Sequence, residues 1–279
     1  MEDRFFTTEE FNEEFGTNID NAIDLYETLS KNGLKEFSLR QFDFYFTSNK
    51  KENLDSLADF LKVYYDYKIY EIKKDKELWE FNAYTKEFPI DSETILFWLI
   101  DLYVKGYEFD CKLDGFGSLD PDKVVFPNLD KDQEDVYFNQ AMDDFEKQNY
   151  GSAIINWSTV LKINPNDPNS YYSRAIAKSE LYFWKAALKD YDKAIELAPE
   201  FTSAIVNRAT LKDEAGNYEE AIEDYNKAIA IDNKNGMSFF NRGNSKFNKG
   251  DKTGACQDWH KAKELGTVYA QERIDKECK

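Results

Sequence analysis

Residues 217–231, NYEEAIEDYNKAIAI, answer to 183–197, FWKAALKDYDKAIEL, 34 places earlier, with the same residue types at the same positions. Working outward from that pair, the register holds over four segments between Glu134 and Lys279. A small residue stands at Ala153, Ala187, Ala221 and Ala255. A large aromatic follows each one, Trp157, Tyr191, Tyr225 and Trp259, and then a further small or β-branched residue, Val160, Ala194, Ala228 and Ala262. An earlier small residue, Ala141, Ala175, Ala209 and Gly243, keeps the same spacing. Self-similarity at this period predicts a helical array, because one unit cannot bury its apolar face alone. Small residues let two antiparallel helices approach, and the aromatic fills the gap that remains. Pro165 and Pro199, with Asn233 in the third place, stop the second helix of their units.

These segments resemble the second half of a tetratricopeptide (TPR) repeat. The resemblance implies an all-α solenoid of four units, 134–167, 168–201, 202–235 and 236–266. The first unit departs most, with Gln140 and Asp144 where leucine-like and tyrosine-like residues are usual. Residues 267–278, TVYAQERIDKEC, read as a closing helix with a polar outer face, which a terminal repeat needs.

The chain has 279 residues, enough for two cores. Its formal net charge is −18. Residues 1–130 hold 29 acidic against 15 basic side chains, a balance of −14, so the acidity belongs mainly to the front half. A field of that sign repels nucleic acid and favours basic partners. The start, MEDRFFTTEE, has neither the basic region nor the apolar core of a secretory signal, and the longest apolar run, Ile95–Ile100, is too short to span a bilayer. Three widely spaced cysteines, Cys111, Cys256 and Cys278, suit a reducing cytoplasm better than a disulfide framework.

In the front half, 18–31 has helical spacing closed by Asn32-Gly33, and 36–47 alternates as a strand through Phe42, Phe44 and Phe46. A helix over 51–64, strands over 66–73 and 78–86, a helix from Pro89 to Lys105 closed by Gly106, and a strand over 107–113 follow. The order β-α-β-β-α-β behind a leading helix predicts a ferredoxin-like α+β domain over 1–117. Residues 118–133, with Pro121 and Pro127, read as a linker whose Val124, Val125 and Phe126 keep an apolar side.

FDFYF at 42–46, LADFLKVYYDYKIYEI at 57–72 and YEFDCKLDGFG at 107–117 resemble the ribonuclease E inhibitor B (RraB) family. That family commonly ends in a strand running into a D-G-W-G turn, and Asp114-Gly115-Phe116-Gly117 stands there with phenylalanine for tryptophan. The resemblance implies an acidic protein that binds a ribonuclease and restrains it without catalysis. It also marks Asp114, Gly115, Phe116 and Gly117 as a contact loop, beside the simpler reading of a turn after the last strand.

Catalytic chemistry finds no footing. A serine or cysteine nucleophile needs a base, and the single histidine, His260, lies one helical turn after Cys256. Those two ligands are too few for zinc, and the Asp130, Asp132, Glu134 alternation lacks the glycine and final glutamate of a calcium loop. No phosphate-cradling loop follows Gly115 and Gly117. The chain therefore reads as a non-enzyme with no cofactor and no metal. The front aromatics alternate with acidic as often as basic residues, which suits a sheet core better than a nucleic-acid platform.

By the TPR resemblance, the first helix of each unit lines a concave groove. One row is Asn139, Ser173, Asn207 and Asn241; its neighbour is Phe138, Tyr172, Val206 and Phe240. Amides can pair with an extended backbone while apolar neighbours take its side chains. TPR proteins that grip carboxylate tails put lysine or arginine in these rows, where this chain has Tyr172, Ile176, Met237 and Asn241. Arg174, Arg208 and Arg242 recur beside the amide row and read as structural partners of acidic neighbours. The expected partner is thus a protein with a basic or extended segment, neither nucleic acid nor membrane. The alternative reading is a scaffold or chaperone-type adaptor unrelated to RNA decay.

Overall fold

The leading helix starts earlier than its apolar spacing alone suggests, because Thr7 and Glu10 cap each other's backbone across the first turn. In the computed structural model, which describes residues 4–119 and 124–278, this helix α1 runs Thr8–Lys31. Pro121 of the expected linker lies outside the described residues, as do Met1–Asp3 and Lys279. The chain divides into two compact units, Met1–Pro165 with Ala177–Tyr182, and Asn166–Ile176 with Phe183–Lys279.

The first unit holds a small antiparallel sheet. Strand β1 (Leu39–Ser48) buries Phe42, Phe44 and Phe46 on one face, as a period of two requires. After α2 (Lys51–Tyr64) come β2 (Lys68–Ile69), β3 (Lys73–Asp75), β4 (Leu78–Tyr84) and β5 (Phe88–Pro89). Helix α3 (Ser92–Glu108) then leads to β6 (Lys112–Leu119). Strand β1 lies between β4 and β6, β4 carries β2 and β3 on its other edge, and β5 pairs with the start of β1. Helices α1 and α2 present Ala22, and Leu54, Leu57, Ala58 and Leu61, to the core that α3 fills.

Two readings of this region need correction. Gly106 does not close α3. It is buried inside the helix, where a Cβ would come 2.6 Å from Phe46 Cε1, so the glycine serves close packing against β1. The last strand therefore begins at Lys112, and Asp114-Gly115-Phe116-Gly117 lies within β6 instead of forming a contact loop. Gly115 faces Tyr45 and Gly117 faces Asp43; a Cβ at either would meet those side chains at 2.2 and 2.8 Å. The register shifts between Tyr45 and Phe46, which leaves Asp114 unpaired in the ladder as a bulge. Its carboxylate accepts from Thr47 Oγ1 at 2.5 Å.

The first helix pair, α4 (Glu134–Glu146) and α5 (Tyr150–Ile163), belongs to the same unit. Helix α5 is buried almost all round, through Gly151, Ala153, Ile154, Ile155, Trp157, Val160 and Leu161, because it packs on both α4 and α3. A Cβ on Gly151 would lie 3.1 Å from Asp101 Cβ and 3.2 Å from the Phe97 carbonyl. Compact packing thus changes hands after Pro165, further along than the 118–133 linker. Within that linker Val125 accepts a backbone hydrogen bond from Leu39, while Val124, Val125 and Phe126 keep exposed side chains.

The second unit is helical throughout. It contains the start of α6 (Pro168–Glu180), then α7 (Trp184–Leu197), α8 (Thr202–Glu214), α9 (Tyr218–Ile231), α10 (Gly236–Lys249), α11 (Lys252–Glu264) and α12 (Ala270–Glu277). The repeated small residues Ala187, Ala194, Ala209, Ala221, Ala228, Ala255 and Ala262 are fully buried. At Gly243 a Cβ would press on Trp259 Cδ1 at 2.7 Å, so the larger indole takes the space a methyl would fill. The turn inside each helix pair needs one left-handed residue. Gly216 and Gly250 supply it freely, whereas Gln148 and Tyr182 hold positive φ at the equivalent positions.

The cysteines also differ from expectation. Cys256 and Cys278 form a disulfide that ties the segment after α12 to α11, and Cys111 alone is a buried free thiol. Their distance in sequence conceals the pairing, which arises because α12 folds back on α11. The cysteine argument for a reducing compartment lapses accordingly. With Cys256 in the disulfide and His260 on the surface, the pair is not a metal site.

Candidate peptide-binding groove of the helical array

Buried charge sets the phase of the helices that carry the groove rows. Arg208 on α8 grips Asp224 on α9 with two hydrogen bonds, Nε to Oδ2 at 2.8 Å and Nη2 to Oδ1 at 2.7 Å. Arg174 and Asp190, and Arg242 and Asp258, repeat the same bidentate geometry. Planar guanidinium meets planar carboxylate in one orientation, so each clamp fixes the rotation of one helix against its partner. Arg208 also reaches back to Asp192 on α7, and Arg242 to Asn226 on α9, each through Nη1. One side chain therefore ties both the helices within a pair and consecutive pairs. Burial pushes the Asp224 carboxyl up, but Arg208 and Lys212 outweigh it and hold the group below the usual carboxylate range. The guanidinium groups of Arg174, Arg208 and Arg242 are thus engaged by carboxylates of the array itself.

With the phase fixed, the groove residues of this unit fall on α6, α8 and α10. Tyr172, Ser173, Val206, Asn207, Phe240 and Asn241 are all half-buried, reachable yet backed by packing. Asn207 Nδ2 donates to Tyr172 Oη at 3.3 Å, which joins the two rows between α8 and α6. Tyr172 also packs on Phe201 at 4.8 Å between ring centroids, and burial pushes its hydroxyl up. Asn241 shares a hydrogen bond with the Tyr225 hydroxyl, which Thr210 Oγ1 meets from α8 at 2.9 Å. Each amide keeps unused donor and acceptor capacity beyond those bonds. At the far end, Phe240 and Tyr269 border a cleft of about 260 Å³ with Glu272, Arg273 and Lys276. In the first unit, Phe138 on α4 is half-buried and Asn139 is exposed.

The aspartates that clamp the arginines were not singled out in the sequence. Their signal was present, since Asp190, Asp224 and Asp258 keep the period and each stands 16 places after its arginine. Among the described residues no group of histidine, cysteine, aspartate and glutamate side chains could hold a metal ion, and no helix is long and apolar enough to cross a membrane.

The TPR repeat family model matches residues 214–250, the stretch running through α9 and α10. No curated protein matches the chain. Among solved structures, MamA is 20% identical with a TM-score of 0.48, over 51% of this chain and 83% of MamA. YrrB, described as a TPR protein with an unusual peptide-binding site, is 17% identical with a TM-score of 0.48, over 63% of this chain and 82% of YrrB. The Arabidopsis OM64 TPR domain is 20% identical with a TM-score of 0.41, over 42% of this chain and 97% of that domain. The C-terminal part is a helical array with a TPR repeat match over residues 214–250.

Proposed function

We propose that the chain is a non-enzymatic interaction protein whose array holds an extended segment of a partner protein. The observation that carries this reading is the half-buried double row of Tyr172, Val206 and Phe240 beside Ser173, Asn207 and Asn241, backed by clamps that absorb the neighbouring arginines. Half-buried apolar side chains offer pockets, and the amides offer backbone pairing without demanding a charged terminus. Phe138 and Asn139 hold the same places of the sequence period in the first unit.

In this reading the front domain is ferredoxin-like and of the RraB type, and it docks on a basic protein segment, that of a ribonuclease being the narrower version. The acidic balance of residues 1–130 and the antiparallel order of β6, β1, β4 and β2 support that assignment. No nucleic acid, membrane or cofactor enters it. Affinity capture with the full chain, read by mass spectrometry with and without high salt, tests the two readings. A nuclease released by salt supports the regulator. Salt-resistant partners without a nuclease, lost on Asn207→Ala with Asn241→Ala, leave the adaptor.

A further inference from the structure

The first helix pair breaks the charge pattern of the others beside a cavity. In the third pair Arg208 and Lys212 on the first helix face Asp224 on the second; in the fourth, Arg242 and Lys246 face Asp258. The corresponding residues of the first pair, two periods before the third, are Gln140, Asp144 and Asn156. Both cations are gone, and the carboxylate has moved to the first helix. Asp144 is 7% exposed, and its carboxylate accepts from two amides, Gln140 Nε2 at 3.3 Å and Asn156 Nδ2 at 2.7 Å. Neutral amides orient a carboxylate but do not balance its charge. Burial accordingly pushes the Asp144 carboxyl up to about 6, against the weaker pull of Lys147, the cation that acts on it. The neighbouring Lys147 is engaged with Asp143 at 2.7 Å.

Asp144 lines a cavity of about 460 Å³ inside the first unit, a size usual for small-molecule sites. Its other walls include Tyr65, Tyr67, Phe88, Phe126 and Tyr137. The remaining formal charges on the lining are Glu87 and Lys86, and Lys86 is already paired with Asp66 at 2.5 Å. An aromatic-walled cavity with a buried carboxylate whose nearby cation is bonded to another acid attracts positive charge twice, by direct Coulomb attraction and through the ring faces.

We propose that this cavity binds an organic cation, an alkylammonium or guanidinium group, with Asp144 as its counter-charge and the aromatic walls around its carbon frame. The bound cation supplies from outside what Arg208 and Lys212 supply from within the chain. This site is separate from the groove and independent of the reading given for it.

Calorimetric titration of the full chain at pH 8 with agmatine, cadaverine and choline tests this, set against N-acetyl-citrulline amide as a neutral mimic. An uncharged-flank peptide carrying a single arginine forms the last arm. Binding of at least one cation, with citrulline at least tenfold weaker, is expected. Binding of agmatine identifies a free small molecule, and binding of the peptide alone identifies a side chain of a protein partner; either supports the cation site. Asp144→Asn should lower that affinity at least tenfold. Gln140→Lys, which puts a cation beside Asp144 at an exposed position, should do the same should Asp144→Asn not fold. Silence from every cationic probe, equal binding of citrulline, or full affinity in Gln140→Lys overturns the proposal.

Discussion

Arg208 and Asp224 form a two-bond clamp whose carboxylate side chain is only 2% exposed. Removing the guanidinium leaves a buried charge with Lys212 as its nearest cationic support. Arg208→Met should therefore destabilise the second unit by about 3 kcal/mol, whereas Arg208→Met with Asp224→Leu should recover most of that loss. Urea denaturation of the two variants and of Asp224→Leu alone closes the cycle. A loss below about 1 kcal/mol for Arg208→Met would show that the clamp is incidental.

The first unit should lose stability as pH rises toward neutrality. Asp101 is 2% exposed on α3, and burial pushes its carboxyl up to about 7 despite the opposing influence of Lys105 and Tyr65. An unfolded aspartate releases its proton near pH ~4. Between those values the folded state holds the extra proton, so this contribution is complete below the unfolded pKa and is lost as pH climbs through about 7. Asp144, raised to about 6, acts in the same direction. Melting temperatures taken from pH 5 to 8 should fall for the native chain and fall less for Asp101→Asn. A flat profile in the native chain would remove the buried carboxylates from the account.

Tyr182 pays for the helix-pair turn in backbone strain. It holds φ at 65° where Gly216 and Gly250 hold the equivalent turns, and its side chain is 62% exposed, so little packing is lost with it. Tyr182→Gly should stabilise the chain by about 0.5–1 kcal/mol, the left-handed strain relieved less the added flexibility of the unfolded chain. Thermal melts of the variant give the sign directly, and a clear loss of stability would show that the aromatic ring packs more than its exposure suggests.

The disulfide between Cys256 and Cys278 closes a 22-residue separation and holds α12 against the last helix pair. Chain-entropy reasoning gives a contribution of about 3 kcal/mol for a loop of this size. Cys278→Ser, or dithiothreitol on the native chain, should lower the melting temperature of the array and free Trp259 from the Arg273 guanidinium that lies 5.9 Å from its ring. Tryptophan fluorescence follows that release. Identical melting with and without reductant would show that the closing helix holds by packing alone.

Much of the array was legible because its signals are local and repeated: small residue, aromatic and helix stop return every 34 places. The first helix pair was legible as helices but not as part of the front unit. Its clue was there in GSAIINWSTVLKI, apolar on every face, which marks a helix buried on two sides. The last strand was read at 107–113, ahead of Lys112–Leu119, because Gly106, Gly115 and Gly117 read locally as breakers. Their true reason is non-local, the close approach of Phe46, Tyr45 and Asp43 on β1. The left-handed turns at Gln148 and Tyr182 stayed hidden for a related reason, since only glycine announces that conformation in a sequence. Among the groove residues, the rows were placed by the TPR resemblance carried along the period, and what that could not convey was the framework of aspartates beside them.

The most direct measurement is calorimetry with an extended peptide selected by phage display on the full chain, comparing the native protein with Asn207→Ala combined with Asn241→Ala. Both amides lie on the proposed groove face and outside the arginine clamps, so the double variant should lose only the stability of their bonds to Tyr172 and Tyr225, about 1–3 kcal/mol, and stay folded while binding at least tenfold more weakly. Unchanged affinity in a stably folded double variant would place the partner elsewhere and contradict the account.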